Sequence, residues 1–195
     1  MTEGKRKYTP PTGRVIVFQL TLNPTTDQMQ QFHSHLGAVR FSYNWALELI
    51  QRNYLDFQKD PTVDRLKIGH TSILKQWNLA KTEIAPWWQD NAKEAYDTGI
   101  LNAVAAYQNF FKSHSGVIRG RKLGYPKFKK SNAQNQIGCM FVNVARLDSK
   151  SKHVYLSRIG KVSYYGDADS VKWLLSNGAR ITQGKLKHNQ TRWTF

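Results

Sequence analysis

The chain has 195 residues and a large excess of positive charge, with 29 Lys and Arg against 13 Asp and Glu and a formal net charge of +16. A protein this basic attracts polyanions, so a nucleic acid is the first partner to expect. The single cysteine, Cys139, excludes an internal disulfide framework, and the sequence holds neither a secretion signal nor an apolar run long enough to span a membrane. We therefore expect a cytoplasmic protein without a membrane partner.

The first part of the chain predicts a strand followed by helices. Residues 1–13 are polar and basic and predict a disordered lead, whereas residues 14–22 show one fully apolar face at the two-residue period of a strand. From Met29 to Phe57 the apolar residues recur at steps of three and four. That spacing predicts one long helix, or two helices in line that meet near Gly37.

Two further helices are predicted before residue 116. His70 to Ser72 offer an N-cap for a short helix with an apolar side. An apolar pattern that includes several small residues, at which another helix could approach closely, then predicts a helix from Asp90 to His114. Residues 24–115 are therefore expected to form an all-helical insertion.

The last third of the chain changes to the period of β-strands. The predicted strands are Gln136–Arg146, Lys152–Arg158, Lys161–Tyr165, Ala179–Lys187 and Gln190–Phe195. A short helix is predicted at Asp167–Asn177. Because the strand at 14–22 has no local partner, we expect it to join these late strands. The predicted fold class is α+β, with a small antiparallel β-barrel built from residues 14–23 and 116–195 and interrupted by the helical domain.

Three residues in the middle of the first long helix are candidates for contacts with RNA or phosphate: Arg40, Tyr43 and Asn44. Arg40 and Asn44 are four residues apart, so a charged fork and a short amide would point the same way from a rigid support. The alternative is structural, with Arg40 paired to Glu48 and Asn44 satisfying a backbone group.

A second candidate surface follows the helices. From Thr98 to Leu147 the sequence has no Asp or Glu but many cations. The candidate RNA contacts in this stretch are Arg119, Arg121, Lys122, Tyr125, Lys127, Phe128, Lys129 and Lys130. Aromatic rings can stack on bases while the cations bind phosphates. The alternative is a solvated loop with Tyr125 and Phe128 in the core.

Three short stretches carry a resemblance to a known family: Arg40-Phe41-Ser42-Tyr43-Asn44, Ala106-Tyr107-Gln108-Asn109-Phe110-Phe111 and Gly124-Tyr125-Pro126-Lys127-Phe128-Lys129. In this order they resemble the N-terminal lobe of TnpB, the RNA-guided nuclease of small bacterial insertion sequences, and of the compact type V CRISPR effectors. The resemblance covers roughly Arg14 to Phe195. It implies a β-barrel wedge domain interrupted by a helical recognition domain.

The resemblance also implies function. Such a lobe holds a structured guide RNA and reads a short motif on the target duplex DNA, in the service of transposition and DNA recombination. The implied location is the bacterial cytoplasm, in association with the nucleoid. A further implied partner is the missing nuclease half or a second copy of the protein.

The chain departs from the family in its chemistry. It has no strand-borne set of carboxylates that could hold two metal ions, and one cysteine cannot build the zinc ribbon of the family. We therefore predict no catalytic residue and no cofactor here, with Mg²⁺ expected only in an absent RuvC-like domain. Phe195 stands within a strand pattern, so a truncated form or gene fragment is expected, with a naturally nuclease-less RNA-guided repressor as the alternative.

The resemblance points to three residues for reading the DNA motif. Relatives place a lysine and, one turn later, an amide at the positions of Lys93 and Asp97, and a tyrosine near His70. Ionised Asp97 only accepts hydrogen bonds, so it would favour the amino groups of cytosine or adenine. The structural alternative is an intrahelical ion pair between Lys93 and Asp97.

Two other functions are alternatives to this one. One is a helix-turn-helix protein that binds DNA without RNA and places the helix from Asp90 to His114 in a major groove. This helix is mostly alanine, aromatic and branched apolar residues, which are poor readers of base edges. The other is a hydrolase that uses Cys139 or a serine with a histidine, for which no residue spacing gives support.

Overall fold

The structure of the protein is a computed structural model. It describes residues 15–64, 66–120, 122–131, 138–142, 146–148, 151–166, 168–189 and 191–195. The helices are α1 Thr26–Lys59, α2 His70–Ile84, α3 Lys93–His114 and α4 Asp169–Ser176, with a single 3-10 turn at Trp88–Asp90. The strands are β1 Thr21–Asn23, β2 Cys139–Val142, β3 Arg146–Asp148, β4 His153–Leu156, β5 Gly160–Tyr165, β6 Gln183–Asn189 and β7 Arg192–Thr194. None of the helices in these ranges is long and apolar enough to cross a membrane.

Helix α1 is one continuous helix of 34 residues, so the first of the two predicted alternatives is confirmed. Thr25 and Gln28 form a capping box at its start, because each side chain accepts a hydrogen bond from the backbone N–H of the other. Gly37 lies inside the helix without interrupting it, and a Cβ atom at this position would touch no other group. Gly37 is therefore neither a joint nor a point of close packing.

The close approach between helices occurs instead at Gly99 of α3. A Cβ atom at Gly99 would overlap the Ser42 hydroxyl and the Val39 carbonyl of α1, and would lie 2.8 Å from the Tyr43 nitrogen. A residue without a side chain is what allows the two helices to cross here. Ile100 continues the same buried face along α3.

Helix α3 begins at Lys93, three residues later than predicted. The buried ring of His35 on α1 accepts the N–H of Ala92 at its Nε2 atom, at 3.0 Å. Its Nδ1–H donates to the carbonyl of Gln31 at 2.8 Å, which fixes the neutral tautomer. The first helical turn is thus anchored to α1 by a histidine that has to stay uncharged.

The seven strands form one antiparallel sheet in the order β2-β6-β7-β1-β5-β4-β3. Strand β1 pairs with β5 on one side and β7 on the other, with Leu22 opposite Tyr164 and Thr21 opposite Thr194. The prediction that the early strand joins the late strands is therefore confirmed. The sheet contacts α1 through the ring of Phe32, which meets Trp193 edge to face at 4.8 Å.

The predicted closed barrel is wrong, because the sheet is open and β2 and β3 lie at its opposite edges. The predicted strand at 14–22 is also too long. Only residues 21–23 are a strand, and in the described stretch before it Leu20 exchanges two backbone hydrogen bonds with Phe195, at 2.9 and 3.0 Å. Strand β5 ends opposite Thr21, so no strand in the described part of the chain lies beside residues 15–19 on that side.

The later strands were placed correctly in order but not in length. Within the stretch from 136 to 146 the structure describes one strand, β2, and a separate strand, β3, begins at its last residue, Arg146. Strand β6 begins at Gln183, four residues after the predicted start, and α4 is two residues shorter than predicted at its start and one at its end. The predicted basic lead at 1–13 lies outside the described residues.

Candidate nucleic-acid interface

The basic segment, residues 119–131, follows α3, and none of its described residues belongs to a helix or strand. Among its described residues all side chains are exposed except Pro126, which is partly buried. The exposed cations are Arg119, Lys122, Lys127, Lys129 and Lys130. Arg121, which was predicted to join them, lies outside the described part of the chain. The segment therefore offers a run of positive charge to the solvent.

Although it has no regular structure, the basic segment is held against the helices at three points. The N–H of Leu123 donates to the Ser113 hydroxyl oxygen on α3 at 3.1 Å. The Tyr125 hydroxyl is hydrogen-bonded to that of Tyr107, also on α3, at 2.9 Å. The third point is the backbone of Lys129, which is bound by Asn44 of α1.

The third anchor is a two-hydrogen-bond clamp from Asn44 of α1. Its Nδ2 donates to the carbonyl of Lys129 at 3.0 Å, and its Oδ1 accepts the N–H of Lys129 at 2.8 Å. Both polar groups of the amide are therefore occupied by protein backbone. This agrees with the structural alternative, although the partner lies 85 residues away rather than nearby. Asn44 positions the basic segment, and the clamp leaves the second N–H of its amide for a further acceptor.

Tyr43 and Arg40 also differ from the sequence prediction. Tyr43 is only 4% exposed, so its ring leaves little surface for RNA, and it lies 5.6 Å beneath the Lys129 ammonium. Burial raises the pKa of the Tyr43 phenol. Arg40 is partly buried and has no acid within ion-pair distance among the described residues. The predicted alternative partner, Glu48, pairs instead with Arg52 at 2.7 Å.

The two aromatic candidates of the basic segment have different environments in the structure. Tyr125 packs edge-on against Tyr107 and Phe110, with centroid distances of 5.5 and 5.2 Å. Burial and the hydrogen bond with Tyr125 raise the pKa of the Tyr107 phenol, so Tyr107 keeps its proton. Phe128 is 51% exposed and has no ring contact with any described residue. Phe128 is thus the ring that is free to stack on a base, while Tyr125 anchors the segment.

The three predicted motif-reading residues lie near one another where α2 and α3 begin. His70 Nε2 and Asp97 Oδ1 are 2.6 Å apart, and their side chains are 34% and 43% exposed. Lys93 is exposed one turn earlier on α3, and Asp97 pairs with His70 rather than with Lys93, which contradicts the structural alternative of an intrahelical pair. The His70 contact occupies one carboxylate oxygen and leaves the other for a further donor.

Other chemistry finds little support in the described part of the chain. Cys139 is fully buried, and desolvation raises the pKa of its thiol. A thiol that resists ionisation is a poor nucleophile, which argues against the hydrolase alternative. No group of three or more His, Cys, Asp or Glu side chains in the described ranges is placed to hold a metal ion.

Sequence reasoning missed the anchors of the basic segment. Ser113, Tyr107 and Asn44 meet the segment 10, 18 and 85 residues along the chain. Two of these contacts have a weak signal in the sequence, because Asn44 and Lys129, like Tyr107 and Tyr125, belong to the quoted family motifs. The residue type alone does not signal the clamp, since an asparagine on a helix surface is common.

Comparison with known proteins gives two findings. Residues 16–59 match a family model, HTH_OrfB_IS605, described as a helix-turn-helix domain. In this structure those residues contain β1 and the uninterrupted helix α1, and not α3, where the helix-turn-helix alternative placed its recognition helix. That alternative therefore has no support from the geometry of the matched region.

The second finding concerns two proteins of Mycobacterium tuberculosis, from strains CDC 1551 / Oshkosh and ATCC 25618 / H37Rv. They carry the names "Putative RNA-guided DNA endonuclease MT2953" and "Putative RNA-guided DNA endonuclease Rv2885c". Each is 30% identical to this chain over 195 residues, which cover 96% of this chain and 42% of the relative. The chain thus spans less than half the length of these relatives. Taken together, the family model and the two matches support a likeness of this chain to a TnpB-like N-terminal region.

Proposed function

We propose that this chain is the guide-RNA-binding and target-DNA-recognition lobe of an RNA-guided DNA endonuclease of the TnpB or type V CRISPR kind. In this proposal the sheet and the basic segment form a wedge domain, and residues 24–115 form the recognition domain. Its partners are a structured guide RNA, target duplex DNA and a nuclease half that would carry the Mg²⁺-dependent cutting site.

The observation that carries the proposal is the anchored basic segment. Its exposed cations have no acidic neighbour within the segment, and three side chains from α1 and α3 hold the backbone in place. A flexible loop would lose conformational entropy when it bound RNA, whereas a segment that is already ordered loses less. Phe128 adds a free ring for stacking on an unpaired base. The ordered backbone, the positive charge and the exposed ring of this segment fit a role in RNA binding better than a role as a solvated loop.

For DNA, we propose that Lys93 and Asp97 contact base edges next to the target. His70 donates to one oxygen of Asp97, so the carboxylate presents a single acceptor in a fixed direction. Such an acceptor matches the exocyclic amino group of cytosine or adenine. Specificity for the rest of the target would come from base pairing with the guide RNA.

The RNA proposal is tested by purifying the chain from cells, sequencing the RNA that accompanies it, and measuring affinity for that RNA over a range of salt concentrations. Changing Lys127, Lys129 and Lys130 to Ala should reduce the salt slope by roughly 2 to 3, at about 0.7–0.9 per lost phosphate contact. A control with Lys59, Lys75 and Lys172 changed to Ala loses the same charge elsewhere and should keep the slope. No RNA binding by the parent chain, or equal slopes for the two variants, would refute the proposal.

The DNA proposal is tested by selecting preferred bases from duplexes with a randomised flank. Lys93→Ala should weaken binding to the selected duplex while RNA affinity is kept, and Asp97→Asn should change the bases selected. Binding of the selected duplex without any RNA would favour the DNA-only alternative. Identical selections for the parent and Asp97→Asn would leave the His70–Asp97 pair with a structural role only.

A further inference from the structure

The sheet has an outer face that is separate from the basic segment. On β4 and β5, Val154, Leu156 and Val162 are buried against the core, whereas the alternating residues Tyr155 and Lys161 are exposed. Successive side chains of a strand point to opposite faces. Tyr155 and Lys161 therefore belong to the face opposite the core.

Strand register places Tyr155 between two cations on this outer face. Arg146 of β3 is directly opposite Tyr155 of β4, and Tyr155 is directly opposite Lys161 of β5. Residues opposite each other on antiparallel strands have Cβ atoms about 4.5–5.5 Å apart. Both cations are exposed, and the ring is 46% exposed. The three side chains form a row of cation, ring and cation across three strands.

The positive charge continues across the same face. The register links Tyr165, Thr21, Thr194 and Lys187 in one row, and Tyr165 is 60% exposed. Other exposed cations with the same outward direction are Lys185 and Arg192. Among the described strand residues that point outward, the one acid is Asp148, and Ser151 donates two hydrogen bonds to its carboxylate. The outer face is thus basic, and the rings of Tyr155 and Tyr165 on it are exposed to solvent.

A purely structural role explains only part of this pattern. A tyrosine between two cations does support a sheet through cross-strand contacts. Such contacts do not account for further cations on β6 and β7, whose mutual repulsion is unfavourable without an anion. If the partner were a protein, the exposed rings would more often be surrounded by apolar side chains than by cations. A polyanion with flat bases matches both the charge and the rings.

We propose that the outer face of the sheet is a second RNA-contact surface, on which an unpaired base stacks on Tyr155 and neighbouring phosphates bind Arg146 and Lys161. This inference rests on the proposed RNA-binding function and adds to it a site that lies outside the basic segment. The base is unpaired because only a base outside a duplex exposes a whole ring face to a protein ring.

The test uses the full chain and, as probe, a hairpin RNA with a single-stranded oligouridine tail that contains thiouridine. Light-induced crosslinks should map to the peptide that contains Tyr155. Tyr155→Val, which keeps a strand-favouring residue, should weaken binding roughly tenfold, whereas Tyr155→Phe should bind like the parent. Changing Arg146 and Lys161 to Gln should lower the salt slope by about 1.4, and the same change at Lys75 and Lys172 should not.

The outcomes separate this inference from the proposed function. If the parent binds the probe, the triple lysine variant of the basic segment weakens it, and Tyr155→Val has no effect, the sheet site alone is refuted. If the parent binds no RNA at all, both proposals fail. If Tyr155→Val changes the sedimentation of the protein but not its RNA affinity, the outer face binds a second copy of the chain. That result also refutes the RNA site on the sheet. If Tyr155→Val does not fold, the crosslink map and the Arg146/Lys161 variant decide.

Discussion

Asn44→Ala tests the link between the helical scaffold and the basic segment. The substitution removes the two hydrogen bonds to the backbone of Lys129, at 3.0 and 2.8 Å. Each such bond contributes about 0.5–1.5 kcal/mol net, and the low end applies because the clamp is partly exposed to solvent. The expected loss is about 1 kcal/mol, which for a chain of this size lowers the melting temperature by about 2–4 °C.

The effect on RNA binding should be larger than the effect on stability. Without the clamp, the backbone around Lys129 has to be ordered when RNA binds, at about 1–2 kcal/mol for each residue. Release of even one residue then lowers RNA affinity roughly 5- to 30-fold, since 1.4 kcal/mol is a factor of ten. Thermal unfolding and filter binding with the co-purified RNA measure the two quantities on the same samples.

Asn53 supplies a matched control on the same helix. Its Nδ2 donates to the carbonyl of Asp64 at 2.9 Å, and its Oδ1 accepts the N–H of Leu66 at 2.7 Å. Asn53→Ala therefore removes an equivalent clamp from a different loop and should cost similar stability without changing RNA affinity. Equal losses of affinity in both variants, or an Asn44→Ala variant that melts lower but binds RNA like the parent, would refute the reasoning.

Two further predictions concern the core. Gly99→Ala should lower stability by about 1–3 kcal/mol because its Cβ would overlap α1, whereas Gly37→Ala, in open space on a helix, should raise it by up to about 1 kcal/mol; opposite shifts in melting temperature check this, and two shifts of the same sign would contradict it. Burial lowers the pKa of His35 below its usual 6.5, so its contribution is fully present above about pH 6.5 and is lost as the pH falls below that value, by at most about 1.4 kcal/mol per unit; the difference in melting temperature between the parent and His35→Gln should therefore narrow as the pH falls through this window, and a constant difference would refute it.

How far the sequence could predict this fold depended on whether the deciding contacts were local. The steps of three and four between Met29 and Phe57 predicted α1 correctly, since helical periodicity is a local property. The strand at 14–22 had an equally clear period, but its length depended on where β5 and β7 end, more than 140 residues later. Whether the sheet closes was decided in the same non-local way.

The same difference between local and non-local contacts applies to the candidate site. The charge and rings of the basic segment were visible in the sequence, but the different roles of Tyr125 and Phe128 depend on which of them meets α3. The pair His70–Asp97 joins two helices over 27 residues, whereas the sequence offered only the helical neighbour Lys93. Residue types were therefore easier to predict than partners, because a partner is set by tertiary packing.

The central place of β1 in the sheet has a consequence for synthesis on the ribosome. Both neighbours of β1 are made much later, and the nearer in sequence, β5, starts at Gly160. At roughly 5–20 residues per second, the ribosome takes about 7–28 s to add the intervening stretch of about 140 residues. During that time α1 and α3 can already pack on each other, while Leu22 of β1 has no neighbouring strand to pair with. The nascent chain therefore passes through a state with folded helices and an uncovered strand, and this is the stage at which a chaperone would protect it.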